Sequence, residues 1–439
     1  MKRVNLTLLL VSIIVIQFCV LFTLSGVSAA TGKDDWPMFH HDLSRTGYST
    51  STNTPVSANV LWNFTTGHVL WASPAVVDGK VYIPSDDGSI YCLDALTGDK
   101  VWSYFARSPI GSSAAVANGY VYFGAYNGAV YCLDAANGEP VWTFPTRYSI
   151  QSSPAVSNGY VYIGSWDNDT YCLDALTGEK IWNFTAGGLV ESSPVIANGC
   201  VYVGSVDGNV YCLDALTGDK KWSFQTGSAI QSSAAFSSDY LYIGSGDNNL
   251  YCLNATSGEK VWNYPTQGWV DSSPAVANGN VYVGAWDGDN NVYCLNALTG
   301  EKIWNFTAKE GVNSSPAVAS GYVYVGSWDG TLYCLDATTG TLVWSYQTGS
   351  HVNSSPAVVD GIVYVGSWDK NIYAFGALPT TNSPIPSATS TQPEESASTE
   401  PQATPAIPTE IIGLLVAVVA VVIIMVTVIA LRLRRRQQP

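Results

Sequence analysis

Three side chains with hard oxygen donors, Glu191, Asp271 and Asn313, occupy the same position in different copies of a repeated sequence. Carboxylate and amide oxygens of this kind are ligands that Ca²⁺ prefers. The acidic segment DGDNN at 287–291 also has the composition of a calcium loop, but Leu298 stands at the twelfth position, where such loops carry glutamate. We therefore interpret 287–291 as an enlarged turn and predict no metal site.

The position that holds these three residues varies from copy to copy, whereas most other positions are nearly uniform. It precedes a Ser-Ser or Ala-Ser step and contains Trp71, Gly111, Gln151, Glu191, Gln231, Asp271, Asn313 and Asn353. Variable residues just upstream are His68, Arg107, Arg147, Tyr148, Trp269, Lys309, Glu310 and His351. A third variable position adds the aromatic residues Tyr126, Trp166, Trp286, Trp328 and Trp368. Variable polar and aromatic residues on a uniform scaffold are typical of a binding surface for a carbohydrate or a polypeptide. A solvated polar channel without a specific ligand is the alternative interpretation.

The remaining reactive residues form no catalytic pattern. The histidines, at positions 40, 41, 68 and 351, lack zinc-site spacing, and we find no Ser-His-Asp set or phosphate loop. Cysteines recur at one place in seven copies, and Cys200 stands apart. Equivalent points on adjacent copies should lie farther apart than the roughly 7 Å between Cα atoms that a disulfide tolerates. We therefore predict free, buried thiols at Cys92, Cys132, Cys172, Cys200, Cys212, Cys252, Cys294 and Cys334.

The repeat that must position the variable residues is about 40 residues long. A Tyr recurs at 91, 131, 171, 211, 251, 293, 333 and 373. Within one copy, alternating segments at 154–156, 160–165, 170–174 and 180–185 are separated by turn sequences such as Asn158-Gly159. Four short strands per copy are the pattern of a propeller blade. The sequence therefore predicts an all-β, eight-bladed propeller of four-stranded antiparallel blades.

The two ends of the repeat array complement each other. Seven copies have a Trp on their fourth strand, but the eighth stops at Gly376 without that strand. An unassigned strand at 60–64, with Trp62, precedes the first complete copy. We predict that it completes the last blade and closes the ring, which removes exposed sheet edges.

The sequence LDALTGEKIW at 173–182 resembles the tryptophan-docking motif of PQQ-like propeller repeats, and it recurs through 58–377. The segments DWPM at 35–38 and RTG at 45–47 resemble the lead-in of such proteins. This family includes quinoprotein dehydrogenases and non-catalytic outer-membrane assembly lipoproteins. The resemblance implies the fold, and it admits a PQQ and Ca²⁺ cofactor only as an alternative, because the dehydrogenases stack PQQ on a pair of adjacent cysteines that this chain lacks.

Both ends of the chain have membrane-related composition. Residues 1–30 read as a signal peptide, with a basic start, an apolar run and small residues at 27–30. A lead-in at 31–57 and the propeller at 58–377 follow, and then a Pro/Ser/Thr-rich stalk at 378–410. The uncharged segment 411–431 is long enough to cross a bilayer, and the arginines of the tail at 432–439 mark its cytoplasmic side. We predict a single-pass membrane protein with its propeller outside the cell.

The predicted location and the charge restrict the partners. A net charge of −15 disfavours binding to nucleic acid. Possible glycosylation sites of the exported region are Asn63, Asn168, Asn183, Asn254, Asn305, Asn313 and Asn353. The sequence favours a non-catalytic scaffold that binds an extracellular protein or glycan through its variable face. A quinone- or metal-dependent oxidoreductase and a structural component of the cell envelope are the alternatives.

Overall fold

The computed structural model describes residues 35–50 and 57–376, and these ranges contain only strands, turns and irregular segments. None of the elements in these two ranges is a helix able to span a membrane. The predicted signal peptide, stalk, transmembrane segment and cytoplasmic tail lie outside the described residues.

Eight four-stranded antiparallel sheets form the blades, and the first strands of successive blades lie side by side around the centre. The first strands are β3 (Ala75–Val77), β7 (Ala115–Ala117), β11 (Ala155–Ser157), β15 (Val195–Ala197), β19 (Ala235–Ser237), β23 (Ala275–Ala277), β27 (Ala317–Ala319) and β31 (Ala357–Val359). The second strands are β4 (Lys80–Pro84), β8 (Tyr120–Gly124), β12 (Tyr160–Gly164), β16 (Cys200–Gly204), β20 (Tyr240–Ser245), β24 (Asn280–Gly284), β28 (Tyr322–Gly326) and β32 (Ile362–Gly366).

The outer half of each blade contains its longer strands. The third strands are β5 (Ser89–Asp94), β9 (Ala129–Asp134), β13 (Asp169–Asp174), β17 (Asn209–Asp214), β21 (Asn249–Asn254), β25 (Asn291–Asn296), β29 (Thr331–Asp336) and β33 (Asn371–Gly376). The fourth strands are β6 (Lys100–Phe105), β10 (Pro140–Pro145), β14 (Lys180–Thr185), β18 (Lys220–Gln225), β22 (Lys260–Pro265), β26 (Lys302–Thr307), β30 (Leu342–Gln347) and β2 (Val60–Thr65). We number the blades 1 to 8 in the chain order of their first strands, from β3 to β31. The strand β1 (Tyr48–Ser49) pairs in parallel with β27 of blade 7.

The docking motif joins each blade to the next. In blade 3, Asp174 Oδ1 accepts the backbone N–H groups of the following turn at 2.9 and 2.8 Å, and Gly178 has a φ of 73°. Trp182 leaves this blade and donates its Nε1–H to the carbonyl of Ala215 in blade 4, at 3.1 Å. The motif residues therefore have the structural role that the sequence predicts, because each Trp packs between two blades.

The eight blades close into a ring as predicted. β2 pairs antiparallel with β33, and Trp62 Nε1 donates to the carbonyl of Ala95 in blade 1 at 3.0 Å. This is the same docking contact that the internal blades make. The eight predicted thiols are free and buried. The first strand of blade 3 begins at Ala155 instead of residue 154, and the first strands of blades 2 and 5 begin at the equivalent Ala115 and Ala235.

Candidate binding site

The lead-in segment 35–50, which we call the strap, crosses one end of the central channel. Its backbone forms hydrogen bonds with the first-strand residues of blades 1, 2, 4, 5, 6 and 7. The contacts pair Trp36 with Val76, Pro37 with Val116, Leu43 with Ile196, Ser44 with Phe236, Thr46 with Val276 and Gly47 with Val318. Phe39 of the strap lines the channel cavity. The strap thus closes one end of the channel and turns it into a blind cup.

A fully buried arginine fixes the strap to blades 3 and 4. Arg45 donates to the carbonyls of Pro194, Ser153 and Pro154 at 3.0–3.1 Å, and to that of Phe39 within the strap. Burial lowers the pKa of its guanidinium to about 9. Burial also lowers the pKa of the adjacent His40 to about 4, so this imidazole is neutral at pH 7. Arg45 adds blade 3 to the six blades that the strap backbone contacts, so the strap touches seven of the eight blades.

A closed ring of eight serines lies in the cup. The backbone N–H of each serine donates to the Oγ of the serine in the next blade at 2.8–3.1 Å, and the last serine donates to the first. The ring consists of Ser73, Ser113, Ser153, Ser193, Ser233, Ser273, Ser315 and Ser355. Each Oγ accepts one hydrogen bond in this ring, so its own proton is available to a group inside the cup.

The predicted variable positions meet at the mouth of the cup, whose volume is about 550 Å³. All eight residues that precede the Ser steps line it: Trp71, Gly111, Gln151, Glu191, Gln231, Asp271, Asn313 and Asn353. Tyr126, Trp269, Trp286 and Trp328 line it as well. Side chains from all eight blades therefore converge on one cavity.

One side of the mouth is aromatic, and we call it the aromatic arc. Its ring centroids lie 5.6 Å apart for Trp269 and Trp286, 5.2 Å for Trp286 and Trp328, 5.9 Å for Trp328 and Trp368, and 4.4 Å for Trp368 and Trp71. This arc spans blades 6, 7, 8 and 1. Trp269 and Trp71 are 42% and 36% exposed, so an entering molecule can reach their rings.

The other side of the mouth is polar and acidic. Gln231 Nε2 donates to Glu191 Oε2 at 2.6 Å, and Trp286 Nε1 donates to Asp271 Oδ2 at 2.7 Å. Burial raises the pKa of Asp271 to about 6, and the negative charge of Glu191 contributes to the increase. Burial also raises the pKa of Glu191. The two carboxylates are thus desolvated and repel each other.

Nine of the predicted variable residues lie outside the lining of the cup. His351 packs between Trp328 and Trp368 and its Nδ1 forms a hydrogen bond with the Trp328 carbonyl. Arg147 lies at the rim, 3.3 Å from Asp169. The other residues that do not line the cup are His68, Arg107, Tyr148, Trp166, Lys309, Glu310 and Trp368, and Tyr148 is 65% exposed. In the described part of the chain, no group of three or more His, Cys, Asp and Glu side chains could hold a metal ion.

Sequence reasoning missed two parts of the site, Phe39 and the serine ring, and one neighbour of the site, Asp86. The serines looked uniform, and uniformity does not reveal that each one bonds to its neighbour. Asp86 takes the place in blade 1 that Tyr126 takes in blade 2, so alignment of the copies could have found it. Burial raises the pKa of Asp86, and its Oδ1 is buried without a hydrogen-bond partner among the described residues.

Comparisons with known proteins agree with this architecture. Family models match at 70–267, described as the β-propeller of β-alanine-activating enzyme, and at 227–311 and 288–380, described as outer membrane protein assembly factor BamB. BamB from Moraxella catarrhalis has 19% identity and a TM-score of 0.64, over 73% of this chain and 99% of that one. The propeller is of the PQQ-like type.

Enzymes share this PQQ-like fold with the assembly factor. A europium-containing methanol dehydrogenase has 15% identity and a TM-score of 0.70, covering 78% of this chain and 98% of its own. Quinohemoprotein alcohol dehydrogenase from Comamonas testosteroni has 17% identity and a TM-score of 0.70, covering 84% and 83%. No curated protein sequence matches the chain. At these identities the PQQ-like structures establish the fold, and the function has to be argued from the cup.

Proposed function

We propose that this chain is a non-catalytic binding scaffold that recognises an extracellular polypeptide or glycan in the cup of its PQQ-like propeller. The proposal includes secretion through the segment at 1–30 and attachment to the membrane through 411–431. The observation that carries it is the concentration of sequence differences at the cup mouth. Blades that are otherwise nearly identical contribute six different residue types at one position of the cavity lining.

The two sides of the mouth suit such a ligand. Aromatic rings stack on apolar faces of sugars or side chains, while amides and carboxylates fix orientation through hydrogen bonds. The mouth has both kinds of group, since its lining includes Trp286 and Trp328 as well as Gln151, Glu191 and Gln231. A component with a purely structural role in the envelope would not need this asymmetry.

A quinone-dependent oxidoreductase is the second candidate, and the fold shared with quinoprotein dehydrogenases favours it. The lining of the cup argues against it. PQQ is a polyanion, and the described lining residues include Glu191 and Asp271 but no Lys, Arg or His. An anionic cofactor would meet electrostatic repulsion there. No two of the described cysteines are adjacent in sequence, and each lies on a separate strand.

The test is a binding screen of the full-length protein against neutral oligosaccharides and short peptides, together with thermal melts in PQQ plus Ca²⁺. We expect at least one screened ligand to bind, and Trp286→Ala to abolish that binding because it removes a central ring of the aromatic arc. Glu301→Gln, in a turn that does not line the cup, is the control and should bind normally. A saturable rise in Tm with PQQ plus Ca²⁺ would instead support the oxidoreductase.

A further inference from the structure

The charge of the cup is one-sided. Among the described residues that line it, Glu191 and Asp271 are the acidic side chains, and Lys, Arg and His are absent. Neither forms a salt bridge within the described chain. One oxygen of each carboxylate already accepts a hydrogen bond from a neutral donor, Gln231 or Trp286. The remaining oxygen of each has no donor among the described residues, so the cup holds two incompletely compensated anions.

One of these carboxylates, that of Asp271, contacts the aromatic arc. Trp286 donates to Asp271 through its Nε1, and its ring centroid lies 5.2 Å from that of Trp328 and 5.6 Å from that of Trp269. A tryptophan face attracts a cation through its quadrupole, and the attraction grows when water is excluded. A positive group at this corner would therefore interact with both a carboxylate and aromatic rings.

The closed end of the cup limits how a ligand can enter. The strap, with Phe39, covers the far end of the channel, and the serine ring gives the walls polar hydroxyls. A chain segment cannot pass through, but a side chain can be inserted from the mouth. Its aliphatic stem would lie against tryptophan and its charged end would reach the carboxylates.

We propose that the cup binds the cationic side chain of an arginine or lysine presented by an extracellular polypeptide. This inference rests on the proposed scaffold function and selects a protein ligand over a glycan. A neutral sugar would leave the repulsion between Glu191 and Asp271 in place, whereas an inserted cation removes it. The net charge of −15 also attracts a basic partner toward the mouth.

The experiment is titration calorimetry of the full-length protein with N-acetylated, C-amidated tripeptides Gly-Arg-Gly and Gly-Lys-Gly. The matched neutral peptides carry citrulline in place of arginine and norleucine in place of lysine. We expect a cationic peptide to bind at least about tenfold more tightly than its neutral match. Asp271→Asn and Glu191→Gln should each weaken that binding by about tenfold, and Glu301→Gln should leave it unchanged.

The outcomes separate this inference from the scaffold function. Equal affinity for citrulline and arginine peptides would overturn the inference, as would the absence of saturable binding at roughly 10 mM cationic peptide. If neutral oligosaccharides bind and Trp286→Ala abolishes their binding, the scaffold function stands and the cationic ligand is wrong. If PQQ plus Ca²⁺ alone raises Tm, both proposals fail.

Discussion

The Asp271 carboxylate lies where burial and a neighbouring negative charge destabilise its ionised form. It is half-buried, it faces the negative charge of Glu191, and its compensating contact is a neutral indole N–H. A residue that destabilises the folded state is typical of a functional position, because ligand binding can offset the unfavourable free energy. Sequence analysis identified Asp271 from its place in the repeat. Its protonation behaviour depends on blades 4 and 6 meeting across the mouth, which no local pattern encodes.

At this residue, Asp271→Asn should stabilise the protein at high pH. The pKa of Asp271 in the folded state, about 6, lies above the ordinary value of 3.8, so the folded state holds the proton more tightly. The contribution to stability is therefore present below pH 3.8 and is lost as the pH rises through 6. We expect the variant to increase the free energy of unfolding by up to about 3 kcal/mol at pH 8.

Urea denaturation at pH 8 and pH 4.5 would measure this effect. The benefit of the substitution should shrink at pH 4.5, where wild-type Asp271 is mostly protonated in the folded state. Glu301→Gln is the control, since this residue is exposed in a turn away from the cup. A benefit of equal size at both pH values would show that charge is not its origin.

At the scale of elements, the turn between the third and fourth strands, at 174–178 in blade 3, recurs in seven blades. We call it the docking turn, because the Trp of the preceding blade packs against it. The sequence predicted the roles of its Asp, Gly and Trp correctly, since these depend on local turn geometry and residue size. The acceptor of each indole N–H could not be predicted, because it is a backbone carbonyl in the next blade. For Trp182 this acceptor is 33 residues away in sequence. Strand boundaries were accurate to about one residue wherever alternation and turns marked them.

Two glycines of blade 3 test how tightly the docking turn packs. Gly159 and Gly178 have φ values of 81° and 73°, so alanine is strained at both. At Gly159 an added Cβ meets nothing within 4 Å, whereas at Gly178 it would lie 2.6 Å from the Trp142 ring. We expect Gly159→Ala to cost about 1 kcal/mol of unfolding free energy and Gly178→Ala more than about 3 kcal/mol, measured by urea denaturation. Equal costs would mean that Trp142 moves aside freely.

At the scale of the whole molecule, closure depends on both ends of the described chain. The sequence predicted the blade count and the role of Trp62 from the period of the repeat and a missing strand. The path of the strap was not predicted, because its partners are spread over seven blades and most of its contacts are backbone hydrogen bonds. Such contacts leave no pattern of residue types.

The closure can be tested with two equivalent tryptophans. Trp62→Ala and Trp182→Ala each remove an inter-blade indole, one at the closing blade and one inside the array. We expect both to lower the free energy of unfolding by about 3–5 kcal/mol, because both indoles are buried and hydrogen-bonded. Chemical denaturation followed by circular dichroism gives the values. A much smaller loss of unfolding free energy for Trp62→Ala would mean that the Trp62 contact does not hold the first and last blades together.

The pairing of β2 with β33 also makes the chain sensitive to its own completeness. During synthesis, the strap and β2 emerge before any blade exists, and β2 keeps an unpaired edge until Asn371–Gly376 has been made. A product that ends before this point retains β2 as a bare strand, and such an edge is a template for pairing with another chain. The shared blade therefore makes ring closure depend on synthesis of the last strand of the propeller.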